Sequence, residues 1–428
     1  MRSYDLAVIG GGPAGYSAAF EAVRHRMRTV IFEKDWVGGT CLNRGCVPTK
    51  YLSHTARKFY EAKNASDGIC IGSIAMDYRR AMDKMSHIIT AQREALEGEL
   101  ARLGVEMVCG EVCVKDAHKV CCDGKDYQAK NILIATGSQP ARPLIREALT
   151  SDQMLRLDHI PKRLHILGGG TIAAEFASIY QMLGSRVTIY IRGDRILRKW
   201  DKEIGVSLTQ SFKRKGIEIR KGCDFSGLSF EEGTVLSAGG RVPLLPAAEG
   251  NLFVIGSDGG ILTDRDGQTK TSHIYAAGDV IHKSLFLAHT AMEQGRRAVR
   301  RMVGIENPEP SAVVRCIYVD QEIASVGITE AEDKEAICAK QNMYSNPRTM
   351  ISTSERGFVK LLGDKATHRI LGGQMMCERA GDMVSELALA IDKKLTVEDM
   401  LMTVRPHPSF TEAVSDALRA LEDKLNAV

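Results

Sequence analysis

Tyr4-Asp5-Leu6-Ala7-Val8-Ile9-Gly10-Gly11-Gly12-Pro13-Ala14-Gly15 opens the stretch that decides the fold. Tyr4 to Ile9 is a short apolar run that reads as a strand. The glycines after it fit G-x-G-x-x-G at Gly10, Gly12 and Gly15. A helical pattern follows from Tyr16 to His25. A second strand pattern, Arg28 to Phe32, ends in Glu33, 23 residues after Gly10. Gly10 permits a tight turn, Gly12 lets the backbone approach a pyrophosphate, and Gly15 lets helix and strand pack closely. An acid at Glu33 can accept ribose hydroxyls. The glycines alone would be a weak signal. Strand, glycines, helix, strand and acid in order predict a dinucleotide-binding unit, with Pro13, Ala14 and Lys34 beside its ligand.

The same pattern returns once. Leu164 to Leu167 reads as a strand, Gly168-Gly169-Gly170-Thr171-Ile172-Ala173 as the turn, Ala174 to Leu183 as a helix, and Arg186 to Ile191 as a strand. Ala173 stands in the third glycine place. Two units predict two nucleotides and electron transfer between them. The second unit has no acid at the end of its second strand. Ile191 and Arg192 stand there, with Arg198 six residues on. A guanidinium binds a phosphate bidentately, whereas an acid would repel it. This favours a 2′-phosphorylated nicotinamide cofactor, NADPH over NADH. The alternative is that Arg192 and Arg198 are solvated charges in the basic stretch Arg192 to Lys202.

Between the units lies Gly38-Gly39-Thr40-Cys41-Leu42-Asn43-Arg44-Gly45-Cys46-Val47-Pro48-Thr49-Lys50. Two thiols five residues apart can close a small disulfide ring if the backbone bends, and glycine permits the bend. The stretch Tyr51 to Ala62 is helix-compatible, so the pair would sit near a helix N-terminus, where a thiolate is favoured. Spacing alone also allows a structural disulfide or two unrelated buried thiols.

Residues 1 to 50 together resemble the pyridine nucleotide–disulfide oxidoreductases, flavoproteins that include dihydrolipoamide dehydrogenase and glutathione reductase. The wording from Gly38 to Lys50 is most similar to the lipoamide branch. Arg192 and Arg198 are similar to the glutathione reductase branch, and the two signals conflict. The resemblance implies an α/β fold with two Rossmann-like domains, for FAD and NAD(P), and a C-terminal α+β dimerisation domain. The implied bounds are 1–145 and 251–310 for the two FAD-binding segments, 146–250 for the NAD(P) domain and 311–428 for the interface domain.

It further implies a redox disulfide between Cys41 and Cys46, with Cys46 beside the flavin and Cys41 exchanging with substrate. Lys50 and Glu175 would form the ion pair near the flavin's reactive nitrogen. The implied FAD contacts are the first glycine cluster, Gly39, Thr40, Thr136 and Gly137, and then Gly278, Asp279, Leu287, Ala288 and His289. His289 itself reads as structural rather than catalytic. The implied nicotinamide contacts are Gly168, Gly170, Thr171 and Ile172, with Gly240 in a matching Gly240-Arg241-Val242-Pro243 motif. His407 lies between two prolines with Glu412 five residues on. A carboxylate can orient an imidazole and stabilise its cation. In the family the matching pair completes the active site of the neighbouring subunit, which predicts a homodimer.

Two departures stand out. Thr171 occupies a position where the family commonly has a gating Tyr. The segment Lys221 to Gly233 is short, so the second domain is expected to be trimmed by roughly two dozen residues. Three functional readings follow: a dihydrolipoamide dehydrogenase acting on a small dithiol or a lipoyl domain, an NADPH-linked reductase of a small disulfide such as glutathione, and a flavin-binding component of a larger complex with little free turnover. No cysteine follows Cys377, which argues against branches that need an extra C-terminal thiol pair.

Composition sets the remaining bounds. The 428 residues carry 57 basic and 53 acidic side chains, a net charge of +4. That balance argues against a nucleic-acid or membrane partner. No apolar run approaches a membrane span. The first strand begins at Tyr4, so no leader peptide is expected. The 11 scattered cysteines suit a reducing cytoplasm with one catalytic pair rather than a secreted disulfide scaffold. Cys109, Cys113, Cys121 and Cys122 fall among short strands between 105 and 130 and read as small core residues, and no metal site is expected. Met76 to Leu103 reads as one long amphipathic helix. Asn131 to Ala135 and Ile274 to Val280 read as strands leading into Thr136-Gly137 and Gly278-Asp279. In the last region, Val313 to Val319, Ile323 to Val326, Gly357 to Leu362 and Ile370 to Met376 read as strands and Gly381 to Lys393 as a helix.

Overall fold

Ser3–Ile9 lies inside an eight-stranded sheet. Its residues are buried on alternate and then consecutive positions, as expected of a parallel strand covered on both faces. In this computed structural model, which describes residues 3–65, 68–309, 311–352 and 357–427, it pairs in parallel with Thr29–Glu33 and with Lys125–Ile134. Thr29–Glu33 pairs in parallel with Glu106–Cys109, and Ile274–Ala276 returns from far along the chain to pair with Lys125–Ile134. The long strand Lys125–Ile134 also turns back into an antiparallel meander with Lys119–Cys122 and Val112–Val114. One sheet is thus built from two separate stretches of chain.

The helix Pro13–Arg24 begins at the glycine turn and crosses the helix Ala288–Met302. Glycine is required at both ends of that contact. A Cβ on Gly15 would lie 1.9 Å from the Gly10 carbonyl oxygen, and one on Gly295 2.2 Å from that of Ala14.

The second nucleotide unit forms its own four-stranded parallel sheet, in the order Glu218–Arg220, Arg186–Tyr190, Arg163–Leu167, Thr234–Ser237. The chain passes from Arg220 to Thr234 through one short turn of 3-10 helix at Phe225–Gly227. Ser138–Pro140 and Arg241–Pro243 pair antiparallel and join the two nucleotide units.

The last region is a five-stranded antiparallel sheet of Arg315–Ile317, Ile323–Gly327, Ile370–Met376, Phe358–Gly363 and Ile337–Asn342. The helices Ala380–Asp392 and Glu412–Asn426 cover one face. Several expectations shift here. The strand expected over Val313–Val319 shortens to Arg315–Ile317. Ile337–Asn342 and the two helices Val397–Leu401 and Glu412–Asn426 lacked a clean sequence signal. The helix expected from Tyr51 instead starts at Cys46. Pro48 falls in its first turn, where a missing N–H costs nothing. Of the four cysteines expected in the core, Cys122 is buried, Cys109 is exposed, and Cys113 and Cys121 lie on the outward face of the meander.

One buried ion pair fastens the second unit to the last region. Lys360 lies 2.9 Å from Asp201, with each side chain only 4% exposed. Asp201 also caps the helix Lys202–Arg214 by accepting from the Glu203 amide at 2.9 Å. Removing one partner leaves a buried charge uncompensated, a loss of about 3–5 kcal/mol. Lys360→Met is therefore expected to lower the thermal midpoint by several degrees, read by calorimetry. An unchanged midpoint would mean that water replaces the ammonium at no cost.

Candidate active site

The two cysteines stand on consecutive helices. Gly39–Arg44 carries Cys41, and Cys46 is the first residue of the 18-residue helix Cys46–Lys63. The approach to Cys41 and the bend between the two helices both depend on glycine. Gly38 has φ +91° and Gly39 φ +56°, and a Cβ on Gly45 would lie 2.9 Å from the Thr40 carbonyl oxygen. Asn43 holds the short helix by donating to the carbonyls of Gly39 at 2.9 Å and Val37 at 3.0 Å.

The two thiols are not equivalent. A hydrogen bond from Cys41 lowers the Cys46 thiol to about 7, and the Lys50 ammonium adds to the shift. Cys41, bonded to Cys46 and half-buried, is pushed well above the ordinary thiol range. The backbone amides at the start of the long helix act in the same direction as Lys50 on Cys46.

Lys50 contacts both oxygens of Glu175 at 2.9 Å. Glu175 is buried on the second unit's helix Thr171–Met182 and also accepts from the Tyr318 amide at 3.0 Å. The Lys50 ammonium lies 4.7 Å from the centre of the Tyr318 ring. The sequence-predicted pair is therefore formed, and it is shared by three parts of the chain. Tyr16, whose hydroxyl lies near both thiols and is pushed up to about 12 mainly by burial, had no sequence signal.

The first glycine cluster forms a cradle. Gly10 has φ +105°, and a Cβ there would meet the Ala135 carbonyl oxygen at 2.4 Å. Around Gly12 only the Gly39 Cα comes near, at 3.7 Å, so space remains for a ligand against the backbone. Glu33 is held in place, accepting from the Gly11 amide at 2.8 Å and from the Asp35 amide at 2.9 Å. Pro13 and Ala14 open the helix beyond the turn. Lys34 points instead to Glu111, at 3.1 Å. Thr136 bonds the Leu244 carbonyl, and Gly137, at φ +72°, has open space where a Cβ would stand.

On the other side of this cleft, Asp279 accepts from the Ser138 hydroxyl at 2.6 Å, and burial raises its carboxyl above the usual range. Ser138 in turn accepts from Arg241 at 2.8 Å, and Arg241 lies 3.7 Å from Asp152. Ser138, Arg241 and Asp152 were not singled out from sequence. Arg241 stood inside the quoted Gly240 motif, but its partners come from distant positions. The Gly278 amide donates to Gln294 at 2.9 Å. Leu287 and Ala288 start the next helix, and His289 bonds the Val314 carbonyl at 2.8 Å, a structural contact as expected. The Thr290 hydroxyl is buried with no partner among the described residues. A glycine cradle, a held acid at Glu33, a buried acid at Asp279 and an orphaned hydroxyl at a helix start together fit FAD.

The second cradle is similar. Gly168 has φ +121°, and a Cβ there would meet the Ala238 carbonyl oxygen at 2.5 Å. At Gly170 a Cβ would meet nothing within 4 Å. Thr171 and Ile172 begin the helix at the mouth, and Gly240 has φ +105°. Beyond the strand ends a cavity of about 570 Å³ is lined by Arg192, Gly193, Asp194, Arg198, Lys221 and Gly222. The Arg192 guanidinium lies 5.0 Å from the centre of the Phe225 ring. The two arginines and Lys221 outweigh the one acid, so the cavity suits an anion.

His407 donates from Nδ1 to Glu412 at 2.8 Å, and Glu412 also accepts from the Ser409 amide at 2.8 Å. These bonds hold the Glu412 carboxyl below the usual range. The His407 side chain is 69% exposed within one chain.

Comparison with known proteins agrees with this geometry. Residues 4–295 match the family model described as pyridine nucleotide-disulphide oxidoreductase, and residues 313–418 match that family's dimerisation domain. The chain is 34% identical to a dihydrolipoyl dehydrogenase of Mycoplasma pneumoniae, over 97% of this chain and 98% of that one. It is 32% identical to one from Bacillus subtilis, over 96% and 95%. LpdA from Mycobacterium tuberculosis superposes with a TM-score of 0.87 at 25% identity, over 98% of this chain and 99% of that one. The HOCl-induced flavoprotein disulfide reductase RclA of Escherichia coli shares the fold, with a TM-score of 0.88 at 23% identity, over 97% and 99%. No described helix is long and apolar enough to cross a membrane. The chain belongs to the pyridine nucleotide–disulphide oxidoreductases, enzymes that use FAD and NAD(P)H to interconvert disulfides and dithiols.

Proposed function

We propose that the chain is a dihydrolipoyl dehydrogenase-type enzyme whose substrate is a small dithiol or a lipoyl group, and that it works as a homodimer. The observation that carries the reading is the Cys41–Cys46 pair, with Cys46 held as a thiolate beside the Lys50–Glu175 pair. The names of full-length relatives support the lipoyl substrate. FAD, when bound, supplies the transfer of electrons between the nicotinamide and the disulfide. Gly10 to Gly15, Glu33, Gly39, Thr40, Thr136, Gly137, Gly278, Asp279 and the helix start at Leu287 to His289 would hold it. Gly168, Gly170, Thr171 and Ile172 would hold the nicotinamide cofactor. The domain bounds 1–145, 146–250, 251–310 and 311–428 belong to the same proposal.

In the reductive direction, His407 of the partner subunit takes the Cys41 proton as the Cys41 sulfur attacks the substrate disulfide, which forms a mixed disulfide and releases one thiolate. His407 of the partner subunit, oriented by Glu412, protonates that thiolate. The Cys46 thiolate then attacks the Cys41 sulfur, closing the Cys41–Cys46 disulfide and releasing the second thiolate, which takes a proton from water. Oxidation of a dithiol runs these steps backwards.

The cationic cavity favours NADPH as the nicotinamide partner, and with it a second reading as an NADPH-linked reductase of a small disulfide. The open Gly170 cradle supports nicotinamide use despite the short Lys221–Gly233 segment and Thr171, and so weighs against a purely flavin-holding role.

Three measurements test the reading. Ultraviolet thiolate absorbance of the reduced protein, differenced against Cys46→Ser, should titrate near about 7, with thiol below and thiolate above that pH. Lys50→Met should move the midpoint upward, toward the ordinary value of about 8.5. A wild-type midpoint already in the ordinary range would remove the thiolate argument. Arg192→Ala with Arg198→Ala should raise KM for NADPH by about tenfold or more per arginine and leave KM for NADH nearly unchanged. A wild-type preference for NADH would reduce both arginines to surface charges. His407→Gln should slow disulfide turnover by about 10²–10⁴-fold while flavin reduction by the nicotinamide proceeds. A fully active monomer would contradict the shared site.

A further inference from the structure

A row of side chains crosses four strands on the outward face of the large sheet, away from the site described above. Ala247 pairs with Cys113, Cys113 with Cys121, and Cys121 with Asp126. Their neighbours along the strands, Val112, Val114, Val120 and Cys122, are buried, so alternation turns this row toward solvent. Cys113 and Cys121 are both only partly covered, and both are free thiols.

Their opposition has a geometric consequence. Residues directly opposed on antiparallel strands have Cα atoms about 4.5–5.5 Å apart, with side chains on the same face. A disulfide spans Cα separations of about 4.4–6.8 Å, so the backbone already lies within its range. The closing hairpin bond, from the Lys115 amide to the Lys119 carbonyl at 2.9 Å, fixes the register. The alternative partners are less suitable. Cys122 follows Cys121 in sequence but points into the core, where burial pushes its thiol up.

Charged side chains surround the two sulfurs. The Lys115 ammonium, which is ion-paired with Glu249, lies near both Cys113 and Cys121. Asp126 stands directly opposite Cys121 across the strand pair and pairs with Lys119 at 2.6 Å. Of the two sulfurs, Cys121 directly faces a carboxylate across the strand pair, so Cys113 is the better first nucleophile.

We propose that Cys113 and Cys121 form a second, surface dithiol that small-molecule disulfides oxidise to a cross-strand disulfide, without the Cys41–Cys46 pair taking part. The Cys113 thiolate attacks one sulfur of the small disulfide. A protein–small-molecule mixed disulfide forms, and one small thiolate leaves. The Cys121 thiolate then attacks the Cys113 sulfur, closes Cys113–Cys121 and releases the second small thiolate. Protein dithiol is oxidised and one small disulfide is reduced to two thiols. The two leaving thiolates take up the protons that Cys113 and Cys121 have lost. The closed form ties Val112–Val114 to Lys119–Cys122 and records the thiol–disulfide ratio around the enzyme.

The experiment uses the whole flavin-loaded protein, with Cys41–Cys46 oxidised and no nicotinamide present. It is incubated anaerobically with excess oxidised glutathione, alkylated, and mapped by mass spectrometry without reduction. The expected result is a linked Cys113–Cys121 peptide and loss of both thiols from the alkylated set. In Cys113→Ser, Cys121 should instead be found alkylated or carrying one glutathione, with no new protein disulfide. The inference is overturned if both thiols of the wild type remain alkylatable. It is equally overturned if each carries its own glutathione, or if either is linked to a different cysteine. Since the wild-type map alone decides, a poorly folding variant does not rescue the idea. The outcome does not depend on which dithiol the Cys41–Cys46 site takes.

Discussion

The contact between Lys50 and Glu175 is the constraint on which the rest of the site depends. Lys50 comes from the helix that starts at Cys46, Glu175 from the first helix of the second nucleotide unit, and the amide that also bonds Glu175 from Tyr318 in the antiparallel region. Three separately built sheets meet at one carboxylate. A buried carboxylate is tolerated when its charge is matched and its lone pairs are filled, and here an ammonium and an amide do both. Relative motion of the three parts would leave a charge unpaired in a dry place. The pair therefore fixes where the thiols stand with respect to both nucleotide cradles. The Lys360–Asp201 pair acts in the same way at the far end of the second unit.

The asymmetry of the two thiols follows from that anchoring. Cys46 begins a long helix and has the ammonium one turn along, so negative charge is stabilised twice there. Cys41 lies on a six-residue helix with a weak dipole and gives its hydrogen bond to Cys46. Division of labour between the sulfurs thus comes from helix length and one lysine. Gly45 serves the same end, because the second helix can start this close to the Thr40 carbonyl only where no Cβ intervenes, while Gly39 lets the short helix lie against Gly12 of the first cradle.

Legibility in the sequence tracked the range of the interaction. The glycine turns, Glu33 and the helix after Gly10 follow from a local pattern, and the structure has them within a residue or two. The helix expected over Tyr51 to Ala62 starts earlier, at Cys46, because Pro48 in a first turn breaks nothing. The cysteines of the meander were misjudged because alternation says that two faces exist but not which one is inward. That is decided by the core valines, Val112, Val114 and Val120. Ser138, Arg241 and Asp152 were beyond reach for a different reason. Each link in their chain from Asp279 to Asp152 joins residues far apart in sequence, and no spacing rule connects them.

Arg192 and the lipoyl-type cysteine stretch point to different branches of the family, and the structure explains how one chain can hold both. The stretch Gly38 to Lys50 contacts the first cradle and Glu175, whereas Arg192, Arg198 and Lys221 stand at the far strand ends of the second unit. Among the described residues, no hydrogen bond or ion pair joins the two places. Nothing in the chemistry of the thiols depends on the phosphate of the nicotinamide, since that phosphate lies at the end of the cofactor remote from its reacting ring. Selection on one site leaves the other free to change. The short run from Arg220 to Thr234 is consistent with that independence. It shortens the second unit behind its sheet and leaves the glycine turn, the helix Thr171–Met182 and Glu175 in place.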